Sequence, residues 1–200
     1  MKVHPEITDH LRKFILEQHV FFVASAPERG GHVNVSPKGL EGSLIVIDPL
    51  RVAYLDYGGS GAETIAHMRD NGRITLMFAA FQGPPNIVRL YGTGRPVFAG
   101  DPDFEVLRAQ FPVHHNRLRA IIDVAVDRVQ DSCGYAVPFM AYEADRERLT
   151  ENWAEKGEVA SEIHWAAKNP TSIDGLPAMP PSVHRPARVS RPLPTASTLI

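Results

Sequence analysis

Between residues 20 and 100 the chain offers one extended segment after another and room for only one helix. A doubly wound parallel sheet needs a helix after nearly every strand to cross back over its faces. The pattern therefore excludes that architecture and predicts an antiparallel barrel or sandwich. The strand candidates are residues 20–25, rich in Val and Phe, and 32–36, where Val33 and Val35 alternate with polar side chains. A turn carrying Pro27 and Gly31 makes these two a hairpin. Residues 43–47 and 51–57 are separated by Asp48-Pro49, and residues 73–81 and 86–98 by Gln82-Gly83-Pro84-Pro85. Residues 118–129 put Ile122, Val124 and Val126 on one face and Asp123, Ala125 and Asp127 on the other, which predicts a strand with one wet side. Residues 135–142 read as a last strand, confined by Pro138 to an edge or a bulge.

Helical spacing is confined to the flanks and to one internal stretch. Ile7, Leu11, Phe14 and Ile15 give residues 5–18 an apolar stripe, and Asp101 is placed to cap a short helix at 101–110. Residues 143–156 and 159–168 are polar helical patterns containing Trp153 and Trp165. From Asn169 onward the chain holds seven of its seventeen prolines and few apolar residues, too few for a core of its own, which predicts an extended or disordered tail.

A hydrophobic fraction of 44%, 22% charged residues and a net charge of -2 over 200 residues describe one ordinary globular domain. There is no basic excess for nucleic acid. The single cysteine, Cys133, has no internal partner, and residues 1–14 have no apolar signal core, so the expected location is the cytoplasm. No apolar run approaches the ~18 residues of a membrane span.

The one internal helix, at residues 61–71, follows Gly58-Gly59-Ser60-Gly61 at the end of a strand. Such a turn aims unpaired backbone N–H groups and the positive end of a helix dipole at one place, which suits a phosphate. It is not a dinucleotide fingerprint, because Thr64 stands at the third glycine position and the βαβ context is missing. A second phosphate-friendly stretch is VNVSPKG at residues 33–39, where a strand ends in Ser36 and Lys38. Lysine is scarce here, five against sixteen arginines. If the two stretches converge, Ser36, Lys38, Ser60, Thr64 and the helix amides surround one phosphate. Tyr57, beside the glycines, is either a packing aromatic or a wall for a ring. Arg89, in an apolar strand, needs a carboxylate partner or a ligand. His114-His115 in a polar turn is no metal site, because neighbouring histidines on a strand point apart, and Cys133 is read as inert. No Ser/His/Asp order or pair of carboxylates marks a catalytic group.

Four segments together resemble the pyridoxamine 5'-phosphate oxidase-like group of FMN-binding split barrels. They are VNVSPKG, residues 57–64 with the return NGRITLMF, NIVRLYGTG at 86–94, and SCGYAVP at 132–138 followed by SIDGLP at 172–177. The resemblance implies a mainly β fold: a six-stranded antiparallel split β-barrel with Greek-key connections and N-terminal, middle and C-terminal helices. The barrel would span residues 1–177, with 178–200 as a Pro-rich tail. It implies a homodimer with FMN at the interface. Ser36 and Lys38 then correspond to strand-end phosphate contacts, Ser60 to the serine beside the phosphate, and Asn34 and Val35 lie along the isoalloxazine.

The departures have consequences. Val33 stands where the pyridoxal-phosphate-forming oxidases carry an arginine, Gly61-Ala62 where they carry Arg-Lys, and Ile87 where they carry glutamine. Their C-terminal Trp-Arg and Arg-Leu elements have no counterpart in this tail. Fewer cations near the phosphate predict weaker, more exchangeable FMN. The expectation is an FMN-dependent oxidoreductase acting on a small molecule. A flavin-binding protein without turnover, or the same fold holding a deazaflavin or haem, is the alternative.

Overall fold

The computed structural model describes residues 1–113, 118–156 and 158–180. Eight strands form one antiparallel sheet: β1 (Lys2–His4), β2 (Phe21–Ser25), β3 (Asn34–Lys38), β4 (Leu44–Asp48), β5 (Arg51–Tyr57), β6 (Arg73–Ala79), β7 (Ile87–Val97) and β8 (Leu118–Ser132). The order is β3-β2-β6-β7-β8-β5-β4, with β1 also on β8. Helices α1 (Asp9–Leu16), α2 (Glu63–Asp70), α3 (Phe104–Arg108), α4 (Arg148–Lys156) and α5 (Glu158–Lys168) lie outside the sheet. The class is the expected one, mainly antiparallel β with peripheral helices, but the described residues form eight strands rather than six. One reason is length: β8 runs for 15 residues against 7 in β5, and β1 pairs with the part of its edge that β5 leaves open.

The sheet curls on itself. Phe21 of β2 and Tyr54 of β5 are separated by three strands in the sheet order, yet their rings meet edge to face at 5.6 Å. The curl encloses a core of Val23, Leu76, Phe78, Leu90, Val52, Ile122 and Val124, to which Leu11 and Ile15 of α1 and Ile65 of α2 belong. The barrel is split between β3 and β4, the two ends of the order. α2 carries the chain from β5 past β8 and β7 to β6, packing on β2, β6 and β7.

Several expectations are corrected. The outer face of β8 is wet only in part, since Ile121 is fully buried with Phe104, Leu107 and Phe111 from α3 and its C-terminal turn, while Ala125 and Asp127 are exposed. Asp123 on that face is buried too, fixed by Arg51 (2.8 Å) and Arg95 (2.9 Å). Asp101 does not cap α3: its carboxylate accepts from the Phe98 N–H (2.7 Å), and the helix starts after Asp103. Residues 135–142 form no strand. Pro138 removes a ladder donor, and the segment touches the body through Met140 N–H to Phe81 O (3.0 Å) and a Tyr142–His19 stack. Residues 169–180 are docked rather than free, because their few apolar side chains enter an existing core: Ala178 is fully buried there, with Leu176 and Met179 beside it. The remaining tail, 181–200, and His114-His115 lie outside the described residues. Among the described residues no helix is long and apolar enough to cross a membrane.

Candidate functional site

Strand β3 and the glycine turn converge across the split of the barrel. Alternation along β3 turns Asn34, Ser36 and Lys38 toward the same side as their partners Ser25, Val23 and Phe21, while Val35 and Pro37 face outward. Asn34 Nδ2 donates to the Thr64 hydroxyl (3.2 Å) and the Ser36 hydroxyl to Asn34 Oδ1 (3.3 Å). Lys38 Nζ meets the Asp56 carboxylate at 3.1 Å. The condition posed by the sequence is met: the two phosphate-friendly stretches lie side by side. β3 and β5 are not sheet neighbours, however, and the curl of the sheet brings them together.

The electrostatics centre on Asp56, whose side chain is 1% exposed. Its second oxygen accepts from Arg119 Nε (2.9 Å) and Nη2 (2.8 Å). Burial pushes the Asp56 carboxyl up, but the charges of Lys38 and Arg119 and their hydrogen bonds outweigh it and hold the group below its ordinary value. Two cations against the Asp56 carboxylate leave one positive charge, which the Glu63 carboxylate in the first turn of α2, held by the Ile173 N–H (3.1 Å), offsets. Lys38 is the outward cation, with 23% of its side chain exposed and two N–H donors left over. Ala62, the residue before α2, offers no side-chain cap to the first-turn amides.

The other expected residues fall in different places. Ser60 is exposed on the turn and Thr64 is buried beneath it. Tyr57 packs with the outer cluster around Ile45, Val113 and Leu118, and burial raises its hydroxyl pKa. Arg89 sits between the core residues Val88 and Leu90 and so faces outward, where Nη1 donates to the Ser132 hydroxyl (3.1 Å). It does not join the cluster within one chain. Cys133 is exposed and free. A groove of about 750 Å³ runs along edge strand β4, lined by Leu16, Leu40, Leu44 and Asp145, and none of the expected site residues lines it.

Arg119 is the residue that sequence reasoning missed. The register between β5 and β8 slips between Asp56 and Tyr57: Asp56 pairs with Ala120 and Tyr57 with Leu118, so Arg119 is the extra residue of a bulge. Strict alternation would turn Arg119 outward with Ile121. The bulge instead aims it at Asp56, the Gly61 carbonyl (2.9 Å) and Asn169 (2.8 Å). Asn169, fully buried at the end of α5, was missed with it. Trp165 of the same helix lies so close over Gly58 that a Cβ there would collide with its ring, which accounts for one glycine of the turn.

A profile of the family described as pyridoxamine 5'-phosphate oxidase matches residues 7–133. A pyridoxamine 5'-phosphate oxidase family protein of Aspergillus flavus, ustO, is 38% identical over 194 residues, covering 88% of this chain and 77% of that one. Among solved structures, HupZ of Group A Streptococcus is 20% identical with a TM-score of 0.49, covering 68% of this chain and 99% of that one. A FAD-binding protein of Mesorhizobium loti is 14% identical with a TM-score of 0.45, covering 66% of this chain and 97% of that one. The profile spans well over half of the chain and the fungal relative nearly all of it, and on that basis the protein belongs to the pyridoxamine 5'-phosphate oxidase family.

Proposed function

We propose that this protein is an FMN-dependent oxidoreductase that seats the flavin phosphate between strand β3 and the turn at residues 58–64. The observation that supports it most is the meeting of Asn34 with Thr64 (3.2 Å) beside Lys38, which gathers hydroxyls, the N-terminus of α2 and a lysine ammonium. That donor set fits a phosphate dianion. Lys38 would supply the charge-assisted bond, Thr64, Ser36 and Ser60 neutral ones, and Asn34 with Val35 would border the ring. Bound FMN supplies the redox chemistry, accepting and donating hydride or single electrons. The chain then has to bind and orient it and to leave one face open to a small-molecule substrate. Val35 and Arg89 face outward, which fits the homodimer that the family resemblance implies, with the flavin at its interface.

Titration of the purified protein with FMN, followed by anaerobic mixing with NADH or NADPH, tests the proposal. Quenched flavin fluorescence and bleaching of the flavin band support it. Bound FMN that neither nucleotide nor any other two-electron donor reduces would leave a binding protein without turnover.

A further inference from the structure

The turn at residues 59–61 is held from beneath by side chains that lie behind its outer surface. The Gly61 carbonyl accepts from Arg119 Nη1 (2.9 Å), and the Gly59 carbonyl from Asn169 Nδ2 (3.4 Å). Arg119 Nη1 also donates to Asn169 Oδ1 (2.8 Å), so the two side chains brace each other. Asp56 grips the other edge of the guanidinium through Nε and Nη2. Four of the five N–H donors of Arg119 are engaged in this way, and its side chain is 4% exposed.

Peptide geometry converts this grip into an orientation. Among the described residues every peptide bond is trans. In a trans peptide the C=O and the following N–H point in opposite directions. With the carbonyls of Gly59 and Gly61 drawn inward, the N–H groups of Ser60 and Ala62 point away from Arg119 and Asn169, Ser60 on the exposed crest of the turn and Ala62 buried at the start of α2. A buried ion pair is weak support for stability, since apolar residues of similar volume often do as well. Arg119 and Asn169 are therefore better accounted for by the direction they impose on two peptide groups than by the energy they add.

We propose that Arg119 and Asn169 are positioning residues of the anion site: they set the direction of the Gly59–Ser60 and Gly61–Ala62 peptide groups, and so present the exposed Ser60 amide, without touching the anion. The inference rests on the reading of this turn as the flavin-phosphate seat. It also assigns α5 to the site, because that helix delivers both Asn169 and the Trp165 ring over Gly58.

The test compares FMN with riboflavin, which has the same ring and no phosphate, on the full chain and on Asn169→Ala, Arg119→Lys and Arg119→Gln. Asn169→Ala should stay folded with a lowered melting temperature, weaken FMN about tenfold and leave riboflavin affinity unchanged, the size expected when one charge-assisted bond to the phosphate is misaligned. Arg119→Lys keeps the charge but not the fork, and it should fail to restore the preference for FMN. A purely structural role would move both flavins together. A folded Asn169→Ala with the wild-type ratio of FMN to riboflavin affinity overturns the proposal. A crystal structure of flavin-free Asn169→Ala decides the positioning claim independently. Reoriented Gly59 and Gly61 carbonyls uphold it, unchanged carbonyls overturn it, and a wild type that binds neither flavin removes the flavin reading alone.

Discussion

Asp56 carries two loads at once, because the same buried carboxylate holds Lys38 at the mouth of the site and Arg119 beneath the turn. Removing its charge leaves two cations facing each other with little water, so Asp56→Asn should cost about 3 to 5 kcal/mol, read from urea unfolding at pH 7. The pH dependence has a definite sign. A carboxyl held below its ordinary value in the fold contributes stability that is present above its unfolded pKa, about 3.9, and is lost as pH falls through the folded value. Wild-type stability should therefore drop below about pH 4, and the slope there should be shallower in Asp56→Asn. Lys38→Ala leaves the barrel largely intact, its side chain being partly exposed, and should weaken FMN binding by about 1 to 3 kcal/mol in a fluorescence titration. Unchanged affinity would place the phosphate elsewhere. The lysine and the hydroxyls were legible from their position at a strand end. Arg119 was not, because its direction depends on a bulge that alternation alone cannot reveal.

At the scale of elements, the strands and α2 were readable because apolar alternation, glycine turns and helical spacing agree locally. β5 begins and ends where the pattern of residues 51–57 places it. Misreadings occurred where the deciding contact is distant in sequence. The outer face of β8 reads as wet until α3 covers Ile121, and residues 135–142 read as a strand although no neighbour supplies a ladder. β7 crosses β8 with a second irregularity between Tyr91 and Gly92. A Cβ on Gly92 would collide with the Ala125 carbonyl, a backbone atom that cannot rotate away. Gly92→Ala should therefore lower unfolding stability by about 1 to 3 kcal/mol without touching the residues proposed to hold the flavin. A thermal melt as stable as the wild type would show that β7 and β8 can separate there at little cost.

The curl of the sheet is the property of the whole molecule that makes the site. β3 ends one side of the sheet order and β5 lies next to the other end, and neither position can be inferred from a chain read segment by segment. The family resemblance brought the two stretches together where local patterns left their convergence conditional. Docking of residues 169–180 belongs to this scale too. Composition alone reads them as a tail, yet Ala178 is buried in the barrel core and Arg69 donates to its carbonyl (2.7 Å). Ala178→Asp would bury an unpaired charge and should destabilise the protein by about 3 kcal/mol or more in chemical denaturation, whereas a free tail would tolerate it. The proposed seat for the FMN phosphate, at the meeting of β3 and the glycine turn, depends on the curl of the sheet. The visible spectrum of the purified protein, followed by titration with FMN, tests it most directly. A flavin spectrum, or saturable binding of added FMN that weakens in Lys38→Ala, is the expected result. A colourless protein that leaves the FMN spectrum and fluorescence unchanged at every concentration would contradict it.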